Sequence, residues 1–376
     1  MRVVHINEGL GLSETFIVDL ALGLSQVYDY EFIASDRAAI KISFKYNITK
    51  FIPSSNFLFK KSLDIIGMNY KMRFNQKYAE RIIPHLKHKS VAIIEYLSTA
   101  VRLRKALISI KIPYVVHVHG QDISSALKWK AYQKEIKIVF QEAYAIIAAS
   151  NHIKRLLILE GCPSEKIYVI KYGVNPIGIT PLSWKDRRKN NPSVIFIGRL
   201  TPKKNPIALL HAIKIVSDEI PGVRLTIVGD GPLMPECMNR IQQLGLQQNV
   251  TLLGALSRER AFEHLNNHWV YAQHSVTSYL GDQEGFAISI AEAALHELPV
   301  VSTIHNGIPE NVIDGVTGVL VKEYDYESMA EHIKLLLKNP DMAEKMGKAG
   351  RARILEQNIP EVRLKAISKL LLEATC

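Results

Sequence analysis

The sequence predicts an α/β protein made of two doubly wound units in tandem. Two observations carry this. Short β-rich runs alternate with helix-periodic segments almost throughout, the pattern of parallel strands covered by helices. The alternation also stops at a polar stretch and then restarts. A chain of 376 residues is longer than one typical core, so two or three domains are expected.

In the first half the expected strands are Arg2–Ile6, Glu31–Ala34, Lys50–Ile52, Val91–Glu95, Tyr114–His117, Ala145–Ala149 and Ile167–Ile170. Ser13 is placed to cap the helix that opens SETFIVDLALGL. From Asn175 to Asn191 the chain is rich in Pro, Gly, Lys, Arg and Asn and lacks apolar periodicity, which reads as a linker. The second half restarts with strands at Val194–Ile197, Arg224–Val228, Val250–Leu252, Val270–Gln273, Pro299–Ser302 and Gly318–Val321. Beyond Glu327 the pattern is helical, punctuated by Pro340 and Pro360. The expected domains are 1–180 and 181–355, with a last helix in 356–376 returning toward the first domain. In such sheets ligands sit beyond the carboxyl ends of the strands.

Composition is that of a globular protein, 47% hydrophobic and 22% charged, without low-complexity tracts. Cys162, Cys237 and Cys376 have neither metal-ligand nor redox spacing, which fits a reducing compartment. The chain opens on a strand with no signal-type segment, and runs such as Ala145–Ala149 fall far short of the ~20 residues that span a bilayer. The expectation is a cytoplasmic protein, or one peripheral at the inner face of the cytoplasmic membrane. Charge is uneven: residues 1–180 hold 25 Lys+Arg and 14 Asp+Glu, a net of +11, and the rest hold 22 of each. A basic half suits nucleic acid, anionic lipid, an anionic acceptor, or simply a solvated surface. No aromatic-interleaved basic module supports nucleic acid, and no GxGxxG follows the first strand to support a dinucleotide.

Four segments carry candidate chemistry. In FIGRLTPKKNP, a strand ends at Gly198 and Arg199 and Lys204 precede a helix start near Asn205, a diphosphate-binding arrangement unless the loop simply faces water. In LTIVGDGPL, Gly229 and Gly231 flank Asp230 at a turn that either approaches a nucleotide or only turns the chain. In GDQEGFAISIAEA, Glu284 precedes and Glu292 lies within a helix starting near Ala287. The amides of Gly285, Phe286 and Ala287 would face an anion there. In VVHVHGQD, His117 and His119 share a strand face before Gly120 breaks it. His119 is then placed to meet a substrate hydroxyl or the reacting centre, and His117 reads as a satisfied core histidine. A metal site finds no third ligand by spacing, with Asp122 the only nearby carboxylate.

Together, GRLTPKKN, IVGDGPL, EGFAISIAEA and PVVSTIHNGIPENVIDGVTGVLV resemble the donor domain of the family-four retaining glycosyltransferases over about residues 193–325. More loosely, NEGLGLSETFI and HVHGQDIS resemble the branch that builds bacterial exopolysaccharides of the colanic-acid and amylovoran type. The resemblance implies the GT-B fold, two Rossmann-like domains facing a central cleft, with an acceptor-binding first domain and a donor-binding second. It implies Arg199 and Lys204 on the donor diphosphate and Glu284 at the donor sugar. Glu292 falls on the nucleotide ribose, and Gly285, Phe286 and Ala287 on sugar and phosphate. His119 falls at the sugar, and Gly11, Ser13 and Glu14 in a loop beside the diphosphate and acceptor. Two departures leave base and sugar preference open: Asn175 where the family has Asp, and Gln273–His274–Ser275 where a Pro-Ser pair is usual.

The function implied is transfer of a sugar from a UDP- or GDP-sugar to a growing, lipid-linked oligosaccharide, with retention and without a metal or other cofactor. The basic half would then suit an anionic membrane surface or a diphosphate-linked acceptor. The rival is a non-catalytic sugar-nucleotide or glycan-binding subunit on the same fold.

Overall fold

The computed structural model describes residues 1–7, 14–34, 49–51 and 80–376. These form two units, Met1–Gly173 with Pro360–Cys376, and Val174–Ile359.

The first unit holds a parallel sheet of β1 (Arg2–Asn7), β2 (Asp29–Ala34), β3 (Thr49–Phe51), β4 (Val91–Glu95), β5 (Tyr114–Val118), β6 (Ala145–Ala148) and β7 (Ile167–Val169). Their order is β3-β2-β1-β4-β5-β6-β7. Each strand expected here is present and differs only at its ends. Val3 sits between Tyr30 and Val91 in register. Strands covered on both faces read as continuous apolar runs rather than alternating ones, and VAIIE of β4 is buried at every position.

One cover helix, Thr15–Val27, buries Phe16, Ile17, Leu20, Ala21 and Leu24. Its N-cap position is Glu14, whose side chain makes no capping bond. The expected cap Ser13, like Gly11, lies outside the described residues. The last helix, Pro360–Glu373, belongs to this unit and buries Ile367, Leu370 and Leu371 with Val3, Leu20 and Leu24. Burying aliphatic side chains of this size contributes about 1.5–3 kcal/mol each. Leu364 lies over Gly23, where an added Cβ would come within 3.2 Å of it.

The second unit holds β8 (Ser193–Ile197), β9 (Arg224–Val228), β10 (Val250–Leu252), β11 (Val270–Ala272), β12 (Val300–Thr303) and β13 (Gly318–Val321). Their parallel order is β10-β9-β8-β11-β12-β13. In both sheets the order reverses beside the first strand, between β1 and β4 and between β8 and β11. Ligand sites of doubly wound sheets lie at such points.

The linker reading of Asn175–Asn191 is corrected: its middle is built into the second unit. Ser183 caps a helix at Trp184–Arg187, accepting the Asp186 N–H. Trp184 and Arg187 are buried. The Arg187 guanidinium lies 4.8 Å from the Trp184 ring centre, and its Nη2 donates to the His296 carbonyl at 2.8 Å. The Trp269 indole donates to the Arg187 carbonyl at 3.1 Å. One turn of helix leaves no periodicity to read. No helix among the described residues is long and apolar enough to cross a membrane.

Candidate active site

In the second unit, the turns after β8 and β9 meet backbone to backbone. A Cβ at Gly229, where φ is +142°, would fall 1.9 Å from the Gly198 carbonyl oxygen, and one at Gly231 would fall 2.5 Å from that of Leu200. The Leu200 N–H donates to the Asp230 carbonyl at 3.0 Å. The glycines of IVGDGPL are thus required by chain packing whatever else passes nearby.

That packing fixes the loop from Gly198 to Asn205. Asn205, at φ +40°, caps the helix Pro206–Glu219 by accepting the Ala208 N–H at 3.3 Å, and Pro206 occupies its first turn. Lys204 turns inward, forms an ion pair with Glu284 and donates to Gln273 Oε1 at 3.3 Å. Arg199 is exposed and makes no ion pair or side-chain hydrogen bond among the described residues. Only Lys204 of the expected pair is therefore joined to the glutamate loop. Lys203 joins it as well, with Nζ 3.2 Å from Asp282 and 3.3 Å from the Gln283 carbonyl.

Burial pushes the Glu284 carboxyl up, but Lys204 and Lys203 prevail and hold it down at about 2. It is an ionised carboxylate in a mostly buried position. After it, Gly285, Phe286 and Ala287 are buried, and Asn311 Nδ2 donates to the Phe286 carbonyl. Ala287, at φ +61°, stands at the N-cap of the helix Ile288–Leu295, which no side chain caps. Inside this helix Glu292 Oε1 lies 3.2 Å from Arg258 Nη2. The two glutamates thus have different cationic partners.

Gln273, the residue that departs from the family's Pro-Ser pair, is the hub here. It is fully buried. Its Oε1 accepts from Lys204 and from the Tyr271 hydroxyl at 2.9 Å, and its Nε2 donates to Ser275 Oγ at 2.7 Å.

In the first unit, β5 delivers His117 and His119, and Gly120 follows at φ +111°. Asp122 is consumed by backbone amides: Oδ1 accepts from the N–H groups of His119 (3.1 Å) and Gly120 (3.0 Å), and Oδ2 from that of Leu97 (2.9 Å). It staples this turn to the start of the helix Leu97–Ser109. His119 Nε2 contacts Glu95 Oε2, and its Nδ1 contacts the Tyr172 hydroxyl. Tyr96 donates to Glu14 Oε1.

The sequence reading missed Glu95. It is fully buried at the end of β4, with His5 Nε2 2.6 Å from Oε1 and His117 Nδ1 3.3 Å from Oε2. Burial opposes its charge, yet His117 and His119 hold it well below the usual carboxylate range. His117 is buried as expected, and that burial pushes its ring down to about 3. Glu95, His117 and His119 bring ligand atoms within 4.8 Å of one another. Spacing along one strand could not find this third ligand because it lies on the neighbouring strand. Arg363 Nη2, 3.4 Å from His117 Nδ1, already supplies positive charge beside the cluster and would compete with a metal cation there.

Residues 13–176 match the model described as Glycosyltransferase Family 4, and residues 182–353 the one described as Glycosyl transferases group 1. The amylovoran biosynthesis glycosyltransferase AmsK of Erwinia amylovora is 27% identical over 253 residues, 67% of this chain and 62% of that protein. The putative colanic acid biosynthesis glycosyltransferase WcaL of Escherichia coli K12 is 31% identical over 236 residues, 62% of this chain and 57% of that one. The aligned part thus spans about three fifths of each relative. The crystal structure of Anabaena HepE in complex with UDP and glucose superposes with a TM-score of 0.83 at 20% identity, covering 99% of this chain and all of that one. The first half of the chain is thus a match to Glycosyltransferase Family 4, the second half a match to Glycosyl transferases group 1, and the fold that holds them is GT-B.

Proposed function

We propose that the protein transfers a glycosyl unit, with retention, from a UDP- or GDP-sugar to a lipid-linked oligosaccharide in surface polysaccharide synthesis. The observation that carries this is the mostly buried Lys204–Glu284 ion pair beside the uncapped start of the helix Ile288–Leu295. The names of AmsK and WcaL, and the UDP and glucose held by HepE, support the same reading.

Breaking the bond between the anomeric carbon and the phosphate oxygen leaves negative charge on the diphosphate. Lys204, Arg199 and the amides from Gly285 to Ala287 would stabilise that charge as it grows. Lys204 is paired with Glu284, so a diphosphate would share the ammonium with a carboxylate placed for the sugar. The acceptor hydroxyl forms the new bond on the face the phosphate leaves, and its proton passes to the departing phosphate oxygen. Glu292 binds the ribose, His119 serves at the sugar, and the chemistry needs no metal. The first domain takes the acceptor, and its basic character suits an anionic membrane surface.

A panel of UDP- and GDP-sugars, with products read by mass spectrometry, tests this. Transfer with one donor class and retained configuration is expected. Nucleotide binding without turnover on any donor would favour the non-catalytic subunit instead.

A further inference from the structure

His305 lies in the segment STIHNGIPE, between β12 and the short helix Ile308–Asn311, and its side chain is fully buried. Its two ring nitrogens have partners of opposite kind. Nδ1 lies 2.6 Å from Glu323 Oε1. Nε2 lies 3.1 Å from the Glu284 backbone N and 2.8 Å from Asn306 Nδ2. A backbone N–H and an amide NH₂ can only donate, so Nε2 must present its lone pair. The proton then sits on Nδ1 and is donated to Glu323. Glu323 is itself held in place, its Oε2 accepting the Thr277 N–H at 2.9 Å.

The charged groups facing the ring are Glu323 just beyond β13, Glu284 in the donor loop and Lys204 in the β8 turn. Burial lowers the ring's affinity for a second proton against the pull of Glu323, consistent with a neutral imidazole. A proton on Nε2 would set donor against donor at Glu284.

We propose that His305, fixed as the Nδ1–H tautomer by Glu323, is the positioning residue that sets the backbone of Glu284. Through it, Glu323 and the Thr277 amide in the segment after β11 fix where the Glu284 carboxylate stands. This rests on the reading of Glu284 as the residue facing the donor sugar. The chain of bonds itself does not, and the tests separate the two.

The tautomer is read directly by ¹⁵N NMR of histidine-labelled full-length protein. A proton on Nδ1 and a lone pair on Nε2 at neutral pH are expected, and a proton on Nε2 or on both nitrogens overturns the proposal. Glu323→Gln keeps the shape but cannot accept from both His305 and Thr277. His305→Phe keeps a ring and removes the acceptor. Both should raise hydrogen exchange at the Glu284 amide by ~10-fold or more, as for the loss of a buried hydrogen bond. Unchanged exchange in Glu323→Gln overturns the proposal even if His305→Phe fails to fold.

With a donor that supports turnover, Glu323→Gln should lower kcat by a similar factor and leave UDP affinity, measured by calorimetry, unchanged. If Glu284→Gln abolishes turnover and Glu323→Gln leaves it intact, the positioning role is wrong. If Glu284→Gln itself has no effect, the reading of Glu284 fails, and tautomer and exchange still decide the relay.

Discussion

Replacing Lys204 by methionine removes the ammonium, keeps most of the aliphatic stem, and isolates what the pair with Glu284 contributes. The Glu284 carboxyl stands at about 2 against an ordinary 4.5. At ~1.4 kcal/mol per pH unit, that separation corresponds to roughly 3 kcal/mol of stability at neutral pH. Lys204 is the largest of the counter-charges, ahead of Lys203, so Lys204→Met should cost roughly 2–3 kcal/mol near pH 7. The sign follows from the depressed pKa. In the parent protein the contribution is complete above the ordinary value and is lost as pH falls through about 2. In the variant, burial acts without its main opponent and the carboxyl rises. The deficit therefore grows from about pH 4 to about pH 7. Urea unfolding of both proteins across that range measures it. A deficit of the same size at both ends would mean that lost packing, not charge, explains the variant. UDP binding gives a second readout, with a loss of ~10-fold or more expected from the missing charge-assisted contact.

The two glutamates should fail in different ways. Glu284→Gln lowers turnover more than it raises the donor KM, because its interaction strengthens as the bond breaks, and Glu292→Gln does the reverse; equal defects in steady-state kinetics would refute the assignment. Excess EDTA should leave turnover nearly intact, and complete loss restored by Mn²⁺ or Mg²⁺ would contradict a metal-free mechanism. Acid should destabilise the fold early. Burial holds His117 and His296 at about 3 and His268 and His274 at about 4. Their stabilising effect is present above the unfolded value of about 6.5 and is lost as pH falls below it. Melting temperature should decline steadily from about pH 6.5 to 4, and a flat profile would show that these rings take up protons in the folded state.

What the sequence revealed follows from the range of the interactions involved. Parallel strands covered on both faces are mostly local apolar runs, so the thirteen strands among the described residues were readable from β1 to β13. The β8 turn, the Glu284 loop and the helix after it were readable because each is a contiguous motif. Glu95 was not, since its meaning comes from His5, 90 positions away in sequence, and from two histidines on and just beyond the next strand. Gln273 looked like a departure from a pattern, and only its contacts with Lys204 and Tyr271 show what it does. Asp122 offered a carboxylate near histidines, but its oxygens face three amides instead. His305 sat in a recognised segment, yet nothing in that segment names Glu323 as its partner.

The return of the helix Pro360–Glu373 into the first unit has a consequence for synthesis. Arg363, buried in that unit, donates to the Phe16 carbonyl at 2.6 Å and lies 5.7 Å from the Phe16 ring centre. The ribosome makes Phe16 before the whole of Val174–Ile359 and Arg363 only after it. Until then Leu20 and Leu24 lack the side chains of Ile367, Leu370 and Leu371. The second unit has a continuous chain and can close while translation proceeds; the first must wait, with part of its apolar surface open, for the helix Pro360–Glu373 to leave the exit tunnel.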